Sequence, residues 1–322
     1  MSRVTVLLAA YNAEKYLREA LDSLLAQTMT DFQAVMIDDA STDSTHDILA
    51  SYAAADSRFR LLTNTVNTGQ AIARNRGLQV SDGRYVAMLD ADDRFAPDTL
   101  EKAVAVLDRD PDAGVAVLDL RYVADGVETP YPMRAEGTVW SGQEAFELSL
   151  DWSLHGLYVA RRELYDRWPF DTSCRLYSDD NTTRLHYLHS GKVVLCDGKY
   201  LYRQHDESMT GKLSPLRLEL LLANKSMSDQ LKIEKQSERV LAKFERERWI
   251  NLTGVCGLWF EHREIAESSR AKALFKMIFH DIDKRLLPIG LKMKPGYFPY
   301  LGFGFWMLQV KIYFFLRRHL GK

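Results

Sequence analysis

Residues 85–93 read YVAMLDADD, five hydrophobic residues followed by three carboxylates within four positions. A short, uninterrupted apolar run that stops at polar residues is typical of a strand buried on both faces of a sheet. Two earlier runs have the same form: Val4–Ala10 (VTVLLAA), which precedes Tyr11 and Asn12, and Phe32–Asp38 (FQAVMID), which precedes a second acidic loop. The sequence therefore predicts three buried strands with polar side chains just beyond the carboxyl end of each.

Helices are expected between these strands. Asn12 is a suitable N-cap for a helix in which leucines recur at helical spacing, and Pro97 suits the first turn of another helix. A further helix is expected over Gly69–Val80 and a short strand over Arg60–Asn64. Strands that alternate with helices indicate βαβ units and a mainly parallel sheet. Ligands bind at the carboxyl edge of such open sheets, so the three polar clusters form a candidate site.

Length and composition indicate an ordinary globular protein. The 322 residues suggest about two domains, and 46% apolar with 27% charged residues exclude a mostly disordered chain. A formal charge of −2 gives no general field for binding nucleic acid. Cys174, Cys196 and Cys256 provide neither a disulfide framework nor a CxxC pair, which fits a reducing cytoplasm. The first apolar run is too short for a secretory signal peptide, so we expect a cytoplasmic protein.

The pattern changes in the second half of the chain. Gly114–Arg121 and Gly191–Tyr202 are predicted strands, and Leu164–Leu188 contains a loop and a helix. From Pro215 to Arg248 the chain is rich in Leu, Lys and Glu, which predicts a long helical region.

Charge and aromatic residues are concentrated at the C-terminus. Residues 284–322 carry eight Lys or Arg and no Asp or Glu, whereas the first 283 residues carry a formal charge of −10. Residues 300–316 are largely apolar, but as a helix they would span about 25 Å, short of the ~30 Å hydrocarbon core. We therefore expect a segment that lies on a membrane surface. A spanning helix and a helix packed on the protein or at a dimer interface are the alternatives.

Asp90 and Asp92 form a D-x-D pair at the end of a predicted strand. Two carboxylates placed this way can chelate Mg²⁺ or Mn²⁺, and the diphosphate oxygens of a ligand can complete the coordination shell. Alone, the pattern is more readily explained as an acidic loop, so its interpretation depends on the surrounding motifs.

Four motifs occur in order within the first 93 residues: VLLAAYNAEKYL (6–17), MIDDASTDST (36–45), NTGQAIARNRGL (67–78) and GRYVAMLDADD (83–93). In order and spacing they resemble the family 2 glycosyltransferases of the bacterial surface-polysaccharide type, over roughly residues 3–210. The resemblance implies the α/β GT-A fold of nucleotide-diphospho-sugar transferases, with a mainly parallel central sheet flanked by helices. It places the catalytic domain at 1–212, with a nucleotide-binding half (1–105) and an acceptor and sugar half (106–212). A helical C-terminal region follows at 213–322.

The resemblance implies a nucleotide site in the first half. Ala10, Tyr11 and Asn12 would contact the base and ribose. Asp39 would accept the N3–H of uracil, which suits an ionised carboxylate because it can only accept hydrogen bonds. Arg74 would lie near the diphosphate, whose charge a guanidinium matches.

The same resemblance implies a separate role for each residue of the D-x-D motif. Asp90 and Ala91 would lie on the ribose side, Asp92 would bind the metal directly, and Asp93 would support that ligand from behind.

Downstream, residues 177–180 (YSDD) resemble the Glu-Asp pair that precedes a helix in this family. By this resemblance Asp180 is the general base that deprotonates an acceptor hydroxyl, with Asp179 beside it where the family commonly has Glu. The alternative is that Asp179 or Asp180 only caps a helix that begins at Asn181.

Residues 202–210 (YRQHDESMT) resemble the family ending YR-x-H-x-x-S-x-T. His205 would complete the metal shell, and Arg203 and Ser208 would lie near the diphosphate.

A third region resembles the lining of the sugar and acceptor pocket. It comprises Trp152, His155 and residues 157–162, although packing explains His155 equally well. His186 and His189 have the spacing of a helical metal pair, but no third ligand is near them in the sequence, so we expect surface or packing roles.

Together these residues predict an inverting glycosyltransferase that uses Mn²⁺ or Mg²⁺. The expected donor is a nucleotide-diphosphate sugar, of which a UDP-sugar is favoured. The expected acceptor is a hydroxyl of a glycan or polyprenyl-linked molecule at the inner face of the cell membrane. Two alternatives remain, an Asp-dependent phosphohydrolase with Asp90 as nucleophile and a non-catalytic scaffold that binds sugar nucleotides. A nucleotidyltransferase would want a glycine-rich phosphate loop, which the sequence lacks. The sequence is compatible with an oligomer.

Overall fold

A computed structural model describes residues 2–205 and 213–320. Contacts between Cα atoms divide the chain into two compact units, Met1–Gly211 and Lys212–Lys322.

The strands of the described residues all lie in the first unit. In chain order they are β1 (Val4–Ala10), β2 (Phe32–Asp38), β3 (Phe59–Thr63), β4 (Tyr85–Met88), β5 (Arg94–Phe95), β6 (Ala113–Ala124), β7 (Val127–Pro130), β8 (Val139–Ser141), β9 (Tyr158–Arg161) and β10 (Lys192–Arg203). The helices of this unit are α1 (Leu17–Leu25), α2 (Thr45–Ala55), α3 (Gln70–Gln79), α4 (Thr99–Arg109), α5 (Gly142–Ser149), α6 (Arg162–Arg167) and α7 (Ser178–Leu188).

The described strands form one mixed sheet in the order β3-β2-β1-β4-β9-β6-β10-β5, with β7 on β6 and β8 on β10. The β3-β2-β1-β4 half is parallel throughout. Strand β9 then enters antiparallel to both β4 and β6, and β6 pairs with β10 in parallel. The expectation of a mainly parallel sheet therefore holds for the first half, whereas the second half mixes directions.

Burial explains why β1, β2 and β4 appear in the sequence as continuous apolar runs. Every residue of β1 and β4 is buried, and helices cover the sheet on both faces. Helix α1, for example, buries Leu17, Leu21 and Leu24 in the main core. Fully burying one such leucine stabilises the fold by roughly 1.5–3 kcal/mol relative to leaving it exposed.

Three predicted helix boundaries were wrong. Asn12 does not cap α1, which begins at Leu17 after an N-cap at Tyr16. Pro97 precedes rather than opens α4, whose N-cap is Asp98. Helix α7 begins at Ser178, so Asp179 and Asp180 lie in its first turn rather than before it. None of the three helices has a side-chain cap, so local capping patterns misplaced these boundaries. Contacts with neighbouring loops hold Asn12 before α1 and Pro97 before α4.

One expected pocket segment is instead the central strand β9. Residues 158–160 of this strand are buried, and they pair with β4 on one side and β6 on the other. The prediction that residues 157–162 line a pocket is therefore wrong for the strand itself, because a central strand buries its side chains in the layers on both faces.

The second unit is helical in its described part. Its helices are α8 (Glu219–Ile233), α9 (Glu238–Glu261), α10 (Ser268–Asp281), α11 (Ile289–Lys292) and α12 (Gly302–Leu320). The predicted long helix from Pro215 is in fact a 3₁₀ turn, α8 and the start of α9, separated by a break at residues 234–237. Its core contains three fully buried tryptophans, Trp249, Trp259 and Trp306.

None of the helices in the described ranges combines the length and the apolar composition needed to cross a bilayer.

Candidate functional site

Three strand ends meet at one edge of the sheet. Strand β1 lies between β2 and β4 in parallel register, so that Ala10 pairs with Asp38. The N–H of Asp39 donates to the carbonyl of Ala10 at 2.9 Å, which ties the two strand ends together. Tyr11 projects from this edge with 49% of its surface exposed, while Ala10 is buried. The polar clusters that the sequence places after separate strands are thus neighbours in space.

Asn12 joins the loops after β1 and β2. Its Oδ1 accepts a hydrogen bond from the N–H of Thr42 at 2.8 Å, and its N–H donates to Ser41 Oγ at 3.1 Å. Its φ of 48° is in the left-handed region, which asparagine tolerates better than most residues. Asn12 therefore shapes the site edge.

Four of the seven non-glycine residues with positive φ in the described ranges are predicted site residues or lie within two positions of one. Besides Asn12, these are Ala40, Trp152 and Tyr177, with φ values of 64°, 56° and 68°. Such conformations cost on the order of 1 kcal/mol or more and are held in place only by their surroundings. Tyr177 directly precedes the helix that carries Asp179 and Asp180.

Asp39 is buried and organises the loop before α3. Its carboxylate accepts hydrogen bonds from Asn64 Nδ2, from the N–H and Oγ1 of Thr68, and from the N–H of Gly69 at 2.7 Å. Burial opposes ionisation, but these donors together lower the pKa of Asp39 below its ordinary value. Gly69 has a φ of +88°, which only glycine adopts easily. The residue expected to bind uracil therefore also fixes a loop.

Arg74 is almost fully buried, with 2% of its surface exposed, and its Nη2 donates to Asp90 Oδ1. The charges of Asp90 and Asp179 both favour the guanidinium and help raise its pKa against the effect of burial. Arg74 thus faces the D-x-D pair on one side and the α7 acids on the other. Arg74 is therefore a buried arginine paired with a carboxylate of the chain, and not a solvated side chain.

Asp93 fastens the D-x-D loop to the end of β10. Its Oδ1 accepts the N–H of Arg203 at 2.8 Å, and its Oδ2 accepts the hydroxyl of Tyr200 at 2.9 Å. The same tyrosine oxygen accepts the N–H of Asp90 at 3.1 Å. Asp93 is 1% exposed, and burial raises its pKa well above the ordinary value. These contacts support the expected role of Asp93 behind the metal ligand.

Asp92 and His205 lie side by side as the sequence predicts. His205 Nε2 is 2.9 Å from Asp92 Oδ2, although 113 positions separate them. The His205 ring packs on Tyr16 with 4.9 Å between ring centroids. Its Nδ1 is buried without a hydrogen-bond partner among the described residues.

Arg203 is already engaged by the chain itself. Its Nε donates to the carbonyl of Asp92 at 3.0 Å, and its Nη2 donates to Glu19 at 2.6 Å. Its guanidinium also lies 4.4 Å from the centre of the Tyr16 ring. Arg203 therefore braces the D-x-D loop, and its expected place near the diphosphate stays a prediction.

The acids of α7 and the D-x-D pair influence each other through their charges. Burial raises the pKa of Asp180 to about 7; the charge of Arg184 opposes this shift, and that of Asp179 adds to it. Burial also raises the pKa of Asp90 to about 6; Arg74 opposes this shift, and Asp92 and Asp179 contribute to it. The fold therefore brings together two groups of carboxylates that are far apart in the sequence.

Trp152 and His155 occupy different environments. The guanidinium of Arg184 lies 4.9 Å from the centre of a Trp152 ring, which connects Trp152 to the α7 acids. His155 is buried, packs edge-on against Tyr131, and accepts the N–H of Leu157 at 3.3 Å through Nδ1. Burial lowers the pKa of His155 to about 4, so the ring is neutral. These contacts favour a packing role for His155.

Two residues of the site have no role predicted from the sequence. Tyr16 contacts both His205 and Arg203, and Tyr200 joins Asp90 to Asp93. Tyr16 stands within the first motif, and Tyr200 lies in a predicted strand. Their roles depend on contacts between distant segments, which the sequence does not reveal.

Three predicted residues remain, namely His186, His189 and Ser208. His186 is buried between the hydroxyl of Tyr158 and the carbonyl of Trp168, and His189 stacks on Trp168 at 3.8 Å. Ser208, predicted near the diphosphate, lies outside the described residues together with the rest of 206–212.

The residues present fit a divalent cation as two of its ligands. Two neighbouring ligands of an octahedral ion, each ~2.1 Å from it, are about 3 Å apart, and Asp92 Oδ2 and His205 Nε2 are 2.9 Å apart. No group of three or more His, Cys, Asp or Glu side chains with metal-site geometry occurs among the described residues. A cation here would need further oxygen ligands from a bound molecule and water.

The chain was compared with known proteins. The profile described as Glycosyl transferase family 2 matches residues 5–178, more than half of the chain. Among curated relatives, the "Putative teichuronic acid biosynthesis glycosyltransferase TuaG" of Bacillus subtilis is 41% identical over 99 residues, which cover 31% of this chain and 39% of TuaG. "Glycosyltransferase GlyG" of Streptococcus pneumoniae is 25% identical over 302 residues, which cover 88% of this chain and 97% of GlyG.

Solved structures show the same fold. Residues 1–349 of S. aureus TarS in complex with UDP align with a TM-score of 0.73 at 19% identity, covering 99% of this chain and 92% of that one. A mannosyltransferase from Pyrobaculum calidifontis, PcManGT, in complex with GDP-Man and Mn²⁺, aligns with a TM-score of 0.54 at 19% identity, covering 98% and 87%. The expected GT-A fold is confirmed.

Proposed function

Because the chain belongs to glycosyl transferase family 2, we propose that it transfers a sugar, with inversion, from a nucleotide-diphosphate donor to a hydroxyl of a glycan or lipid-linked acceptor. Family membership favours this transferase over the phosphohydrolase that the D-x-D pair alone allowed. The observation that carries the proposal is the meeting of the D-x-D loop with the end of β10, where His205 Nε2 lies 2.9 Å from Asp92 Oδ2. The charge of Asp179 acts on Arg74 and Asp90 of the same site.

The proposed donor is a UDP-sugar. Tyr11 is exposed at the carboxyl edge of the sheet, where a base and ribose would pack beside Ala10 and Asn12. Asp39 is an ionised acceptor, which suits the N3–H of uracil as well as its own loop. The structures of TarS with UDP and with UDP-GlcNAc add support, because this chain shares their fold.

Asp92 and His205 are the proposed protein ligands of Mn²⁺ or Mg²⁺. When bound, such an ion neutralises negative charge on the diphosphate leaving group. The fold shared with the Mn²⁺ complex of PcManGT supports this assignment. Around these ligands Tyr16 and Arg203 hold the His205 ring and the D-x-D loop in place, and Arg74 supplies fixed positive charge behind Asp90.

Asp180 is the proposed general base. Its pKa of about 7 lets it exist as a carboxylate at neutral pH and still be basic enough to take the proton of an acceptor hydroxyl. Burial raises this pKa, the charge of Arg184 opposes the shift, and that of Asp179 adds to it. Trp152, stacked near Arg184, would form part of the wall against which the sugar or acceptor packs.

The acceptor is proposed to be a glycan or polyprenyl-linked molecule at the cytoplasmic face of the cell membrane. TuaG is named for teichuronic acid biosynthesis, and its matched 99 residues are 41% identical to this chain. The basic, aromatic C-terminal segment supports a peripheral membrane location.

The release of nucleotide from a panel of UDP-, GDP- and dTDP-sugars tests the proposal. The full chain is incubated with Mn²⁺ and a bacterial lipid extract, with and without a chelator. We expect metal-dependent release of UDP from at least one UDP-sugar, lost in Asp180→Asn and kept in the exposed-carboxylate control Asp166→Asn. A folded protein that turns over no sugar nucleotide would contradict it.

A further inference from the structure

Helix α12 is apolar on two different faces. One face packs into the core of the second unit through the buried residues Trp306 and Val310. The other carries large apolar side chains that remain exposed, namely Phe305, Leu308, Ile312, Phe315 and Leu316. At 100° per residue these five positions fall within an arc of about 100°, the width of an amphipathic stripe. We call this set the outer stripe of α12.

The outer stripe is not explained by the fold of the second unit. Phe315 is 60% exposed and Leu308 52% exposed, while Trp306 and Val310 on the opposite side of the same helix are fully buried. A contiguous apolar face of this kind marks a surface that meets an apolar partner. A helix that only needed to close the core would carry polar residues there.

Cations lie beside the outer stripe and at the end of the helix. Lys311 and Arg318 lie on one flank of the stripe, Arg317 lies in the last turn, and all three are exposed. Lys292 and Lys294 stand earlier in the same unit, beside the exposed side chains of Ile289 and Met293. No Asp or Glu occurs between Lys284 and the last residue, so nothing in this segment balances the charge.

We propose that the outer stripe of α12 docks on an anionic lipid surface, lying along it rather than crossing it. The apolar side chains would enter the boundary between headgroups and acyl chains, and the flanking cations would contact lipid phosphates. This inference rests on the proposed function for its setting, a membrane-borne acceptor, and deepens it by assigning the surface and its chemistry. The helices of the described ranges do not have the length and apolarity to span a bilayer, which fits a helix that lies in the interface.

A second copy of the chain is the less suitable occupant. Two outer stripes packed on each other would bring two sets of Lys and Arg together without a carboxylate from the same segments, and like charges across an interface are costly. Anionic lipid offers the apolar layer and the balancing charge at once.

Co-sedimentation with vesicles tests this proposal. The full chain is mixed with phosphatidylcholine vesicles that contain phosphatidylglycerol or lack it. We expect binding to the anionic vesicles that weakens in high salt, because the lipid charge is screened. The variant Leu308→Gln/Ile312→Gln/Phe315→Gln should bind at least ~100-fold more weakly, because it loses its buried apolar area.

A second variant separates charge from packing. Lys311→Gln/Arg318→Gln changes only exposed side chains on one flank of the outer stripe and should weaken binding to anionic vesicles roughly 30-fold, at about 1 kcal/mol for each cation. Ile233→Gln, an exposed apolar residue on α8, is the matched control and should bind as the unchanged chain does. UDP binding in lipid-free buffer reports folding and the nucleotide site separately, so failure of this proposal is distinguishable from failure of the proposed function.

Absence of vesicle binding by the unchanged chain would overturn the proposal, as would full binding by the triple Gln variant. A dimer of the unchanged chain that dissociates in the triple variant, without any vesicle binding, would assign the outer stripe to a second copy and also overturn it.

Discussion

His205 Nε2 lies 2.9 Å from Asp92 Oδ2, although the two residues belong to motifs 113 positions apart. Strand β10 carries His205 to the D-x-D loop, and three further contacts hold the two segments together: Arg203 N–H with Asp93, Arg203 Nε with the Asp92 carbonyl, and Tyr200 with Asp93. The metal ligands proposed here are therefore preorganised by the sheet rather than assembled on binding.

Replacing Asp180 by Asn should abolish transfer while stabilising the fold. The loss of a general base lowers the turnover rate by roughly 10²–10⁴-fold. The folded-state pKa of about 7 is above the ordinary value, so the unfolding free energy of the unchanged chain falls as pH rises from about 4 to 7. Asp180→Asn removes this cost, so its unfolding free energy at pH 8, measured by denaturant titration, should rise by on the order of 2 kcal/mol. The control Asp166→Asn, which changes an exposed carboxylate, should alter neither quantity.

The pH dependence of turnover reports the same group. Because the base must be deprotonated to act, turnover at saturating donor should rise with pH through an apparent pKa near 7. Replacing Arg184 by Gln removes the charge that opposes this shift and should move the rising limb to higher pH. A profile that is flat from pH 5.5 to 8.5 would exclude Asp180 as the titrating base.

Removing Tyr16 should weaken the metal site without unfolding the protein. Tyr16→Leu takes away the ring that packs on His205 and Arg203, and loss of such supporting contacts typically costs 10–100-fold in metal affinity. We expect the Mn²⁺ concentration needed for half-maximal UDP binding to rise at least tenfold, with an unchanged thermal midpoint. The control is Tyr52→Phe, which changes a tyrosine of α2 whose hydroxyl donates to Asp22 of α1. Unchanged Mn²⁺ dependence in Tyr16→Leu would show that His205 needs no such support.

Replacing Asp39 by Asn should destabilise the loop of residues 64–69. An amide NH₂ in place of one carboxylate oxygen would face the N–H donors of Thr68 or Gly69 and leave them unsatisfied. We expect a loss of about 2 kcal/mol in the unfolding free energy. Because the folded-state pKa of Asp39 is lowered, its contribution is present above pH ~4 and lost on acidification. Asp98→Asn, which changes an exposed ion pair, should be nearly neutral in a urea titration.

Acid should also weaken the fold through two buried histidines. Burial lowers the pKa of His155 and of His186 to about 4, while an unfolded histidine titrates near 6.5. Between these values the unfolded chain binds more protons, so the unfolding free energy falls as pH drops from about 6.5 to 4, by up to ~3 kcal/mol for each ring. The slope of the unfolding free energy against pH reports the protons taken up on unfolding, and His186→Gln should lower this number by up to one in this window. An unchanged slope in this variant would mean that the His186 ring is not held neutral.

The sequence predicts the first half of the fold well, because buried apolar strands alternate there with helices along the chain. The bounds of β1 and β2 match those predicted, since a strand covered on both faces must be apolar along its length. The insertion of β9 between β4 and β6 could not be predicted, because four residues that pair antiparallel carry no periodic signal of their own. The helix starts at Leu17 and Ser178 were missed because no capping side chain marks them.

The candidate site divides in the same way. The resemblance of the motifs to the family singles out Asp92, Asp180 and His205, whose roles stay predictions. It does not show that Asp39 holds the loop before α3, that Arg203 is braced by Glu19, or that Tyr16 and Tyr200 link distant segments. These contacts arise only when the sheet brings separate parts of the chain together.

Isothermal titration with UDP, with and without Mn²⁺, on the unchanged chain and on Asp92→Ala tests the central claim most directly. The account predicts UDP binding that depends on Mn²⁺ and is lost in Asp92→Ala, while GDP and dTDP bind more weakly. UDP binding that is the same without metal and in Asp92→Ala, or no nucleotide binding by the folded chain, would contradict the assignment of the D-x-D loop and His205 as the donor site.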